Sequence, residues 1–537
     1  MLAKAAMLLS KELTTLRVLA SSGVIRPYPP HVLVRIASTL RKWGMGPAGG
    51  FISLADRVPD QVGVVDERGE LTYLELHERS NALARGLRDM GVNEGDSVAV
   101  LCRNHRGFIE ATVAVSKLGA DLLYLNTAFA APQLGEVCER EKPAAIIYDE
   151  EFDGLIEKAN IDVHKVHAWQ DTESDLPTLE KLIRAGSTED LTPPARRSRS
   201  VILTSGTTGT PKGAPRSEGN FDAAVSLLSR LPLKRGWRTH IAAPMFHTWG
   251  WAHLALAMLM GSTIVLRRKF DPADCLEAVT AERCDSLVVI PVMLQRILQM
   301  PEEQLRSYDL SNVKVVASSG SRLAGDLGTS WMDHFGDNLF NIYGSTEVAW
   351  ATIAQPQDLR DAPGTAGKPP HATVVKIYDQ DGQELPAGET GRIFVGNSML
   401  FEGYTGGGSK DMIHGLMSTG DVGRFDENGH LFVEGRDDEM IVSGGENVFP
   451  KEVEDCLHAH PAVEDVAAVG VEDDDYGQRL RAFVVLSSDG AADEDELKAH
   501  VKSNLARYKV PREIVFIEEL PRNATGKILK RELAEHP

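Results

Sequence analysis

The chain has 537 residues, 42% of them hydrophobic, enough for several cores and roughly three or four domain-sized units. Its formal net charge of −20 and isoelectric point near 5.3 exclude a binder that works by neutralising phosphates, so no nucleic-acid partner is expected. Five cysteines, at 102, 138, 275, 284 and 456, show neither CxxC nor Cys/His spacing, which indicates no disulfide framework and no zinc site and suits a reducing cytoplasm.

The first 43 residues carry Lys4, Lys11, Arg17, Arg26, Arg35, Arg41 and Lys42 against Glu12 alone, so residues 1–50 read as a basic N-terminal extension of an acidic protein. After Pro27-Tyr28-Pro29-Pro30, the residues Val32, Leu33, Ile36, Leu40 and Trp43 fall at near-helical spacing. Such a helix can lie on an anionic membrane, giving a peripheral contact through residues 1–43, or dock on an acidic body. Lys11 and Glu12 cut the early apolar stretch too short for a secretory signal.

Strands and helices then alternate. Val62 to Val65 and Leu71 to Tyr73 read as strands, and Thr72-x-x-Glu75 forms a capping box ahead of a helix to about Met90. A strand over Ser97 to Leu101, a helix over Gly107 to Leu118 and a strand over Asp121 to Leu125 make βαβ units. Such units imply a largely parallel sheet. The apolar run Trp249 to Leu266 is long enough to raise a membrane span, but Gly250, His253, Gly261, Ser262 and Thr263 interrupt it. It splits into a buried helix (Trp251 to Met260) and a strand (Thr263 to Leu266). Residues 404 to 410 are linker-like. Beyond Arg436-Asp437-Asp438-Glu439 come a helix from about Lys451, strands near 466–470 and 481–486, and a helix from about Asp493. The expected fold class is α/β: a large N-terminal domain (51–437) of mixed and parallel sheets with covering helices, and a small mobile α+β C-terminal domain (438–537) hinged near Asp438.

Five constellations carry chemistry. Thr204-Ser205-Gly206-Thr207-Thr208-Gly209-Thr210-Pro211-Lys212-Gly213 follows the strand Val201-Ile202-Leu203. Its glycines let backbone amides turn toward an anion, its hydroxyls add donors and Lys212 adds charge, the make-up of a phosphate loop. It is not a Walker loop, because no GK[ST] closes it. Asn341-Ile342-Tyr343-Gly344-Ser345-Thr346-Glu347 offers a ring for a base and a carboxylate for a hard cation. Ser418-Thr419-Gly420-Asp421, fifteen residues before Arg436, offers a carboxylate for ribose hydroxyls and a guanidinium for ribose and phosphate. Met440 to Val448 contains Gly444 and Gly445, and Pro521 to Lys527 ends in a lysine after glycine.

In this order the segments resemble the signatures of the adenylate-forming superfamily, which contains acyl-CoA synthetases, luciferases and nonribosomal adenylation domains. The likeness runs from about residue 50 to the end. It implies that Thr204, Ser205, Gly206, Thr207, Thr208, Gly209 and Lys212 wrap phosphates. Gly320 and Ser321 lie in an adenine loop in which Ser321-Arg322 replaces the family's Ala-Pro. Asn341, Tyr343, Gly344 and Ser345 line the adenine side, Thr346 contacts the α-phosphate, and Glu347 ligates Mg²⁺. Asp421 and Arg436 hold ribose, Asp438 is the hinge, Gly444 and Gly445 line the pantetheine tunnel, and Lys527 bridges carboxylate and α-phosphate.

Pro244 to Trp251 is placed by the resemblance at the acyl site, with His247 beside the carboxylate and Trp251 at the position of a tunnel gate in some long-chain enzymes. The absence there of an aspartate to pair an ammonium group disfavours an amino acid. The resemblance implies an ATP-dependent acyl-CoA ligase using Mg²⁺ and CoA, and the basic extension tilts the expected substrate to a medium- or long-chain fatty acid. Alternatives are an aryl or other acid, an acyl-adenylase serving a carrier protein, and a membrane-docked ATP-binding protein without turnover; a homodimer is a further expectation.

Overall fold

The computed structural model describes residues 2–173, 175–203, 213–216, 221–401, 403, 409–437, 441–443, 446–448, 450–473, 477–488, 490–505, 509–523 and 526–536. The chain divides into two compact units. One comprises Met1–Gly364, Pro369–Thr373 and Asn397–Ser409; the other comprises Thr365–Lys368, Val374–Gly396 and Lys410–Pro537.

The first unit opens with helices α1 (Leu2–Ser22), α2 (Pro30–Trp43) and α3 (Pro47–Arg57), the latter two with proline in the first turn, where its missing N–H costs nothing. Strands β1 (Val62–Asp66) and β2 (Gly69–Thr72) pair antiparallel and lead into α4 (Tyr73–Asp89). The expected capping box closes this helix: Thr72 Oγ1 accepts from Glu75 N, and the Glu75 carboxylate accepts from Thr72 N at 2.7 Å. A six-stranded sheet follows, built from β3 (Ser97–Leu101), β4 (Asp121–Tyr124), β5 (Ala145–Asp149), β6 (His164–Trp169), β7 (Ser200–Leu203) and β8 (Gly213–Arg216). Its order is β6-β5-β3-β4-β7-β8, parallel except for the β7–β8 pair. Helices α5 (Arg106–Leu118), α6 (Ala131–Glu141), α7 (Asp153–Lys158) and α8 (Leu179–Ala185) connect these strands. Every residue of β4 and β5 is buried, as expected of parallel strands covered on both faces.

A second, eight-stranded sheet collects β9 (Arg238–Ile241), β10 (Thr263–Val265), β11 (Ser286–Val289), β12 (Val315–Ser318), β13 (Leu339–Tyr343) and β14 (Thr352–Ala354) with β1 and β2, in the order β14-β13-β12-β11-β9-β10-β1-β2. Helix α9 (Phe221–Leu228) precedes β9, and α10 (Thr248–Met260) joins β9 to β10. The interrupted apolar run is therefore a helix and a strand of the core, as expected, and no described helix is long and apolar enough to cross a membrane.

The basic N-terminus folds onto this unit. Val18 and Leu19 of α1 are buried in one cluster with Ala223, Leu227 and Leu231. Each such side chain contributes on the order of 1.5–3 kcal/mol, which explains a continuous helix where Lys11 and Glu12 break the apolar pattern. Of the predicted α2 stripe, Val32, Ile36, Leu40 and Trp43 are half-buried, but Leu33, only one residue from Val32 and so on a different face, stands exposed, as does Val34. Arg35 and Thr39 bond Asp56 of α3.

The second unit holds an antiparallel sheet of β15 (Val374–Tyr378), β16 (Gly391–Gly396), β17 (Met412–Ile413), β18 (Leu416–Phe425) and β19 (Leu431–Arg436). It also holds a sheet of β20 (Ile441–Ser443), β21 (Glu446–Val448), β22 (Val463–Asp473), β23 (Gly477–Leu486) and β24 (Glu513–Phe516). Helices Pro450–His458 and Glu494–Asn504 pack on the latter through Val453, Leu457, Leu497 and Val501.

Candidate active site

Ligands in open parallel sheets bind outside the C-terminal ends of the strands. There Ser318, the last residue of β12, lies opposite Asn341 of β13. Both are buried, and neither Ser318 Oγ nor Asn341 Oδ1 has a hydrogen-bond partner among the described residues. A buried polar atom left unpaired costs about 1–3 kcal/mol, so two on adjacent strand ends fit a polar ligand such as a nucleotide base. The backbone beside them is shaped for close approach. Gly320 has φ +97°, and a Cβ on Gly344 would lie 2.2 Å from Ala349 O. Ala349 itself holds φ +62°, a conformation that non-glycine residues keep mainly where the surroundings impose it.

Tyr343 ends β13 half-buried, and Ser345 Oγ accepts from the amides of Glu347 and Val348 at 3.2 and 3.4 Å, closing the turn that carries Thr346 and Glu347. Phe401 N donates to Glu347 O at 2.8 Å. A carboxylate on an ordered turn is a sound ligand for Mg²⁺, which keeps several waters and needs few protein oxygens.

A second group surrounds the N-terminus of α10. His247 is its N-cap residue, and burial pushes the imidazole down to about 4, so it is neutral near pH 7. His247 Nε2 and Thr248 Oγ1 are buried without hydrogen-bond partners among the described residues. The segment leading into them is clamped by Asn104, which follows β3. Its amide donates to Ile241 O at 3.0 Å and Ala243 O at 2.9 Å and accepts from Met245 N at 3.0 Å. Four rings crowd this turn: Phe246, His247, Trp249 and Trp251. Trp249 Nε1 donates to Val289 O at 2.9 Å, and Trp251 Nε1 donates to Tyr124 Oη at 3.3 Å. Tyr124 in turn stacks on Phe108 with centroids 5.1 Å apart. Gly250 is required here, because a Cβ would lie 2.3 Å from Pro244 O.

In the second unit Asp421 and Arg436 stand directly opposite in the β18–β19 ladder, with Arg436 Nη1 3.2 Å from Asp421 Oδ1. The Ser418 to Asp421 segment lies within a strand, although its residue types read equally as a turn; Gly420, at φ +79°, supplies the local kink. Lys527 follows a turn in which Asn523 Oδ1 accepts from Lys527 N at 2.9 Å, and Arg522 donates to Gly526 O at 2.6 Å. Of the other sequence candidates, Thr204, Ser205, Gly206, Thr207, Thr208, Gly209, Lys212, Asp438, Gly444 and Gly445 lie outside the described residues. Gly320 and Ser321 come two and three residues after the end of β12.

One grouping of three potential metal ligands occurs among the described residues: Cys102, His105 and Asp149, all buried. It is internally satisfied. His105 Nδ1 accepts from Gly107 N at 3.1 Å, so Nε2 carries the proton and donates to Asp149 at 2.8 Å; Asp149 also accepts from Arg103 N at 2.8 Å. Burial, reinforced by the Asp149 charge, pushes the Cys102 thiol well above its usual range, so it stays protonated and makes no metal ligand.

Sequence reasoning placed Ser318 in the adenine loop with Gly320 and Ser321, and did not single out Asn104, Tyr124 or His253 as site candidates. A histidine in an apolar helix reads as an interruption, and an Asn after a strand reads as a turn; only tertiary contacts distinguish them.

The two units thus carry a nucleotide-shaped strand edge, a ring-lined helix start, and a carboxylate–guanidinium pair with a separate lysine turn. Residues 52–405 match the model of the AMP-binding enzyme family, and residues 452–527 match the AMP-binding enzyme C-terminal domain. Similar curated proteins include a feruloyl-CoA synthase of Amycolatopsis sp, 33% identical over 476 residues, covering 86% of this chain and 93% of that one. Another is the 2-succinylbenzoate–CoA ligase of Geobacillus kaustophilus (strain HTA426), 34% identical, covering 88% and 95%. Among solved structures, the o-succinylbenzoate CoA synthetase of Bacillus subtilis in complex with its acyl-adenylate intermediate matches with a TM-score of 0.80 and 27% identity, over 91% of this chain and 98% of that one.

The chain belongs to the AMP-binding enzyme family, within the adenylate-forming superfamily. It is an AMP-forming acid–CoA ligase whose reactants include ATP and CoA, with Mg²⁺. The expected fatty acid finds no support among these relatives.

Proposed function

We propose that the acid is aromatic. The observation that carries this reading is the ring-lined start of α10, where both indoles are held by hydrogen bonds, to Val289 O and to Tyr124 Oη. Trp251, one turn after His247 and so on its face of α10, is a fixed ring that favours a flat ring over a flexible chain, because offset and edge-on ring contacts add about 0.5–1.5 kcal/mol beyond area burial. The names of the feruloyl and 2-succinylbenzoate relatives point the same way. The packing of α1 and α2 on the first unit gives the basic N-terminus a structural use, which removes the reason for favouring a membrane-delivered lipid.

In this reading the carboxylate attacks the α-phosphorus of ATP, forming acyl-AMP and releasing pyrophosphate; the thiol of CoA then attacks the acyl carbon and releases AMP. The 204–212 loop holds the phosphates, Tyr343 stacks on adenine, and Ser318 and Asn341 bond its edge. Thr346 contacts the α-phosphate. Glu347 would hold Mg²⁺, which neutralises charge on the departing pyrophosphate. Asp421 and Arg436 hold ribose. His247, being neutral, orients the carboxylate by hydrogen bonding, and Lys527 supplies the cation that lowers repulsion between carboxylate and phosphate. Asp438 is taken as the hinge between residues 51–437 and 438–537, with Gly444 and Gly445 bordering the path of the thiol.

The test is AMP release from MgATP with and without CoA across benzoates, cinnamates and fatty acids from acetate to stearate. CoA-dependent release with an aromatic acid at least about tenfold above the best fatty acid in kcat/KM supports the reading. The reverse ranking overturns it.

A further inference from the structure

We infer that the chain carries an anion site apart from the nucleotide site, in which Arg26, Tyr28, Arg57 and Arg235 receive a phosphate group. The site does not depend on which acid is activated.

The four residues come from three segments: the link between α1 and α2, the end of α3, and the approach to β9. Gly23, at φ +80°, lets the link run close over the third segment, where a Cβ would lie 3.2 Å from Arg235 Cβ, and Arg235 N donates to Ser22 O at 2.9 Å. Tyr28 is flanked by Pro27, Pro29 and Pro30, whose fixed φ angles stiffen the backbone on both sides of it. Two guanidiniums lie over its ring, Arg26 at 4.4 Å and Arg235 at 5.7 Å from the centroid. Arg57 lies within electrostatic range of Arg235. Three like charges gathered in this way repel one another until an anion joins them.

No acid of the protein fills that place. Asp56, next to Arg57 in sequence, is taken by Arg35 and Thr39. None of the three arginines has a carboxylate partner among the described residues. Burial, together with the charges of Arg26 and Arg57, holds the Arg235 guanidinium below its usual range. Helix capping accounts for only part of the cluster: Arg57 Nη2 donates to Met258 O at 3.2 Å and Leu259 O at 3.1 Å, at the C-terminal end of α10. Tyr28 Oη, Arg57 Nε and Arg235 Nε, one from each segment, remain buried without hydrogen-bond partners among the described residues. Arg26 stands exposed, which leaves the cluster open to solvent on that side.

Guanidinium forks match the oxygens of phosphate, and a phenol adds one further donor. A phosphate group carries close to two charges and at least three acceptor oxygens, whereas a carboxylate would offset only one of the three cations. Arg26 and Tyr28 precede residue 52, where the family match begins, so half of the site lies outside the region shared with the family.

The phosphate can belong to a free solute or to a lipid headgroup, and two arms separate these. Calorimetric titration with inorganic phosphate, at ionic strength held constant with chloride, is run on the full-length wild type, Arg26→Gln, Arg235→Gln and Tyr28→Phe. The same proteins are sedimented with phosphatidylcholine vesicles with and without phosphatidic acid. The wild type is expected to bind in at least one arm, with each arginine variant weaker by about tenfold or more, the worth of one charge-assisted hydrogen bond, and Tyr28→Phe weaker by severalfold. Phosphate should also raise the wild-type melting temperature more than that of Arg26→Gln. Arg26 is exposed, so its substitution should leave the melting temperature without phosphate unchanged, and that variant decides if Arg235→Gln does not fold. Binding in the phosphate arm assigns a free solute, and binding in the vesicle arm alone assigns a lipid headgroup. Variants that match the wild type in both arms overturn the proposal, since phosphate held only at the 204–212 loop would be indifferent to all three substitutions.

Discussion

Two buried polar regions of the first unit differ in one respect. Around β1, β3 and β5 the buried charged groups Asp66, Asp149 and Lys117 have each found partners. Asp66 accepts from the amides of Arg68 and Arg106 and from the Arg106 guanidinium, Asp149 gathers Arg103 N and His105, and Lys117 Nζ donates to Ser80, Asn81 and the His77 carbonyl. Around the ends of β12 and β13 and along α10, Ser318 Oγ, Asn341 Oδ1, His247 Nε2, Thr248 Oγ1 and His253 Nε2 have none among the described residues. Burial is similar, and the bonding is not. The first region is finished by folding; the second leaves bonding capacity for something that arrives later, at a cost in stability that the first region does not bear.

The largest expected effect is of pH. His247 and His253, held neutral by burial at about 4 and about 3, take up protons on unfolding below their ordinary 6.5. Their folded values are depressed, so the stability they permit is complete above pH 6.5 and falls as pH drops toward 4, by about 3 kcal/mol or more for each. Urea denaturation from neutral to about pH 4.5 measures it; a flat curve would mean that these rings find partners.

Next, Asp66→Ala should cost about 3–5 kcal/mol by stranding the buried guanidinium of Arg106, read as a lowered melting temperature. Burial raises the Asp66 pKa, but the bonds and charge of Arg106 outweigh it and hold the group below 3.8. Its contribution is therefore present above that pH and is lost as pH falls through the lower, folded value. Lys527→Ala should slow adenylation on the order of a hundredfold or more, in pyrophosphate exchange, and spare thioester formation from added acyl-AMP. The smallest effect sharpens the contrast most. Asn341→Ala should raise KM for ATP by up to about tenfold yet leave the melting temperature unchanged or higher, because it removes a buried atom that had no partner. A fall of several degrees would place Asn341 with the finished region.

Much of the fold was legible because it is local. The Thr72 and Glu75 pair lies within one helical turn, and the Val98 to Leu101 run needs only its own apolarity to read as a buried strand. The candidate site was legible where its residues share a loop, as with Tyr343 to Glu347. It was illegible where contacts join distant segments. Nothing near Asn104 announces that it clamps residues 241–245, and nothing near Tyr124 announces that it meets Trp251. Asp421 and Arg436 lie between these cases, since the β18–β19 hairpin turns a separation of fifteen residues into direct opposition. The first helix was missed because its reason to exist is α9, two hundred residues away.

That helix has a practical consequence for handling the protein. The family match begins at residue 52, an inviting place to start a shortened version. Removing what precedes it would strip Val18 and Leu19 from Leu227 and Leu231, and would take away the carbonyls of Ser21 and Ser22 that receive Lys234 Nζ and Arg235 N. Trimming by family boundary would thus disturb the packing of α9 and of the segment that leads into β9, and an amino-terminal fusion partner is better separated by a spacer than joined directly to α1.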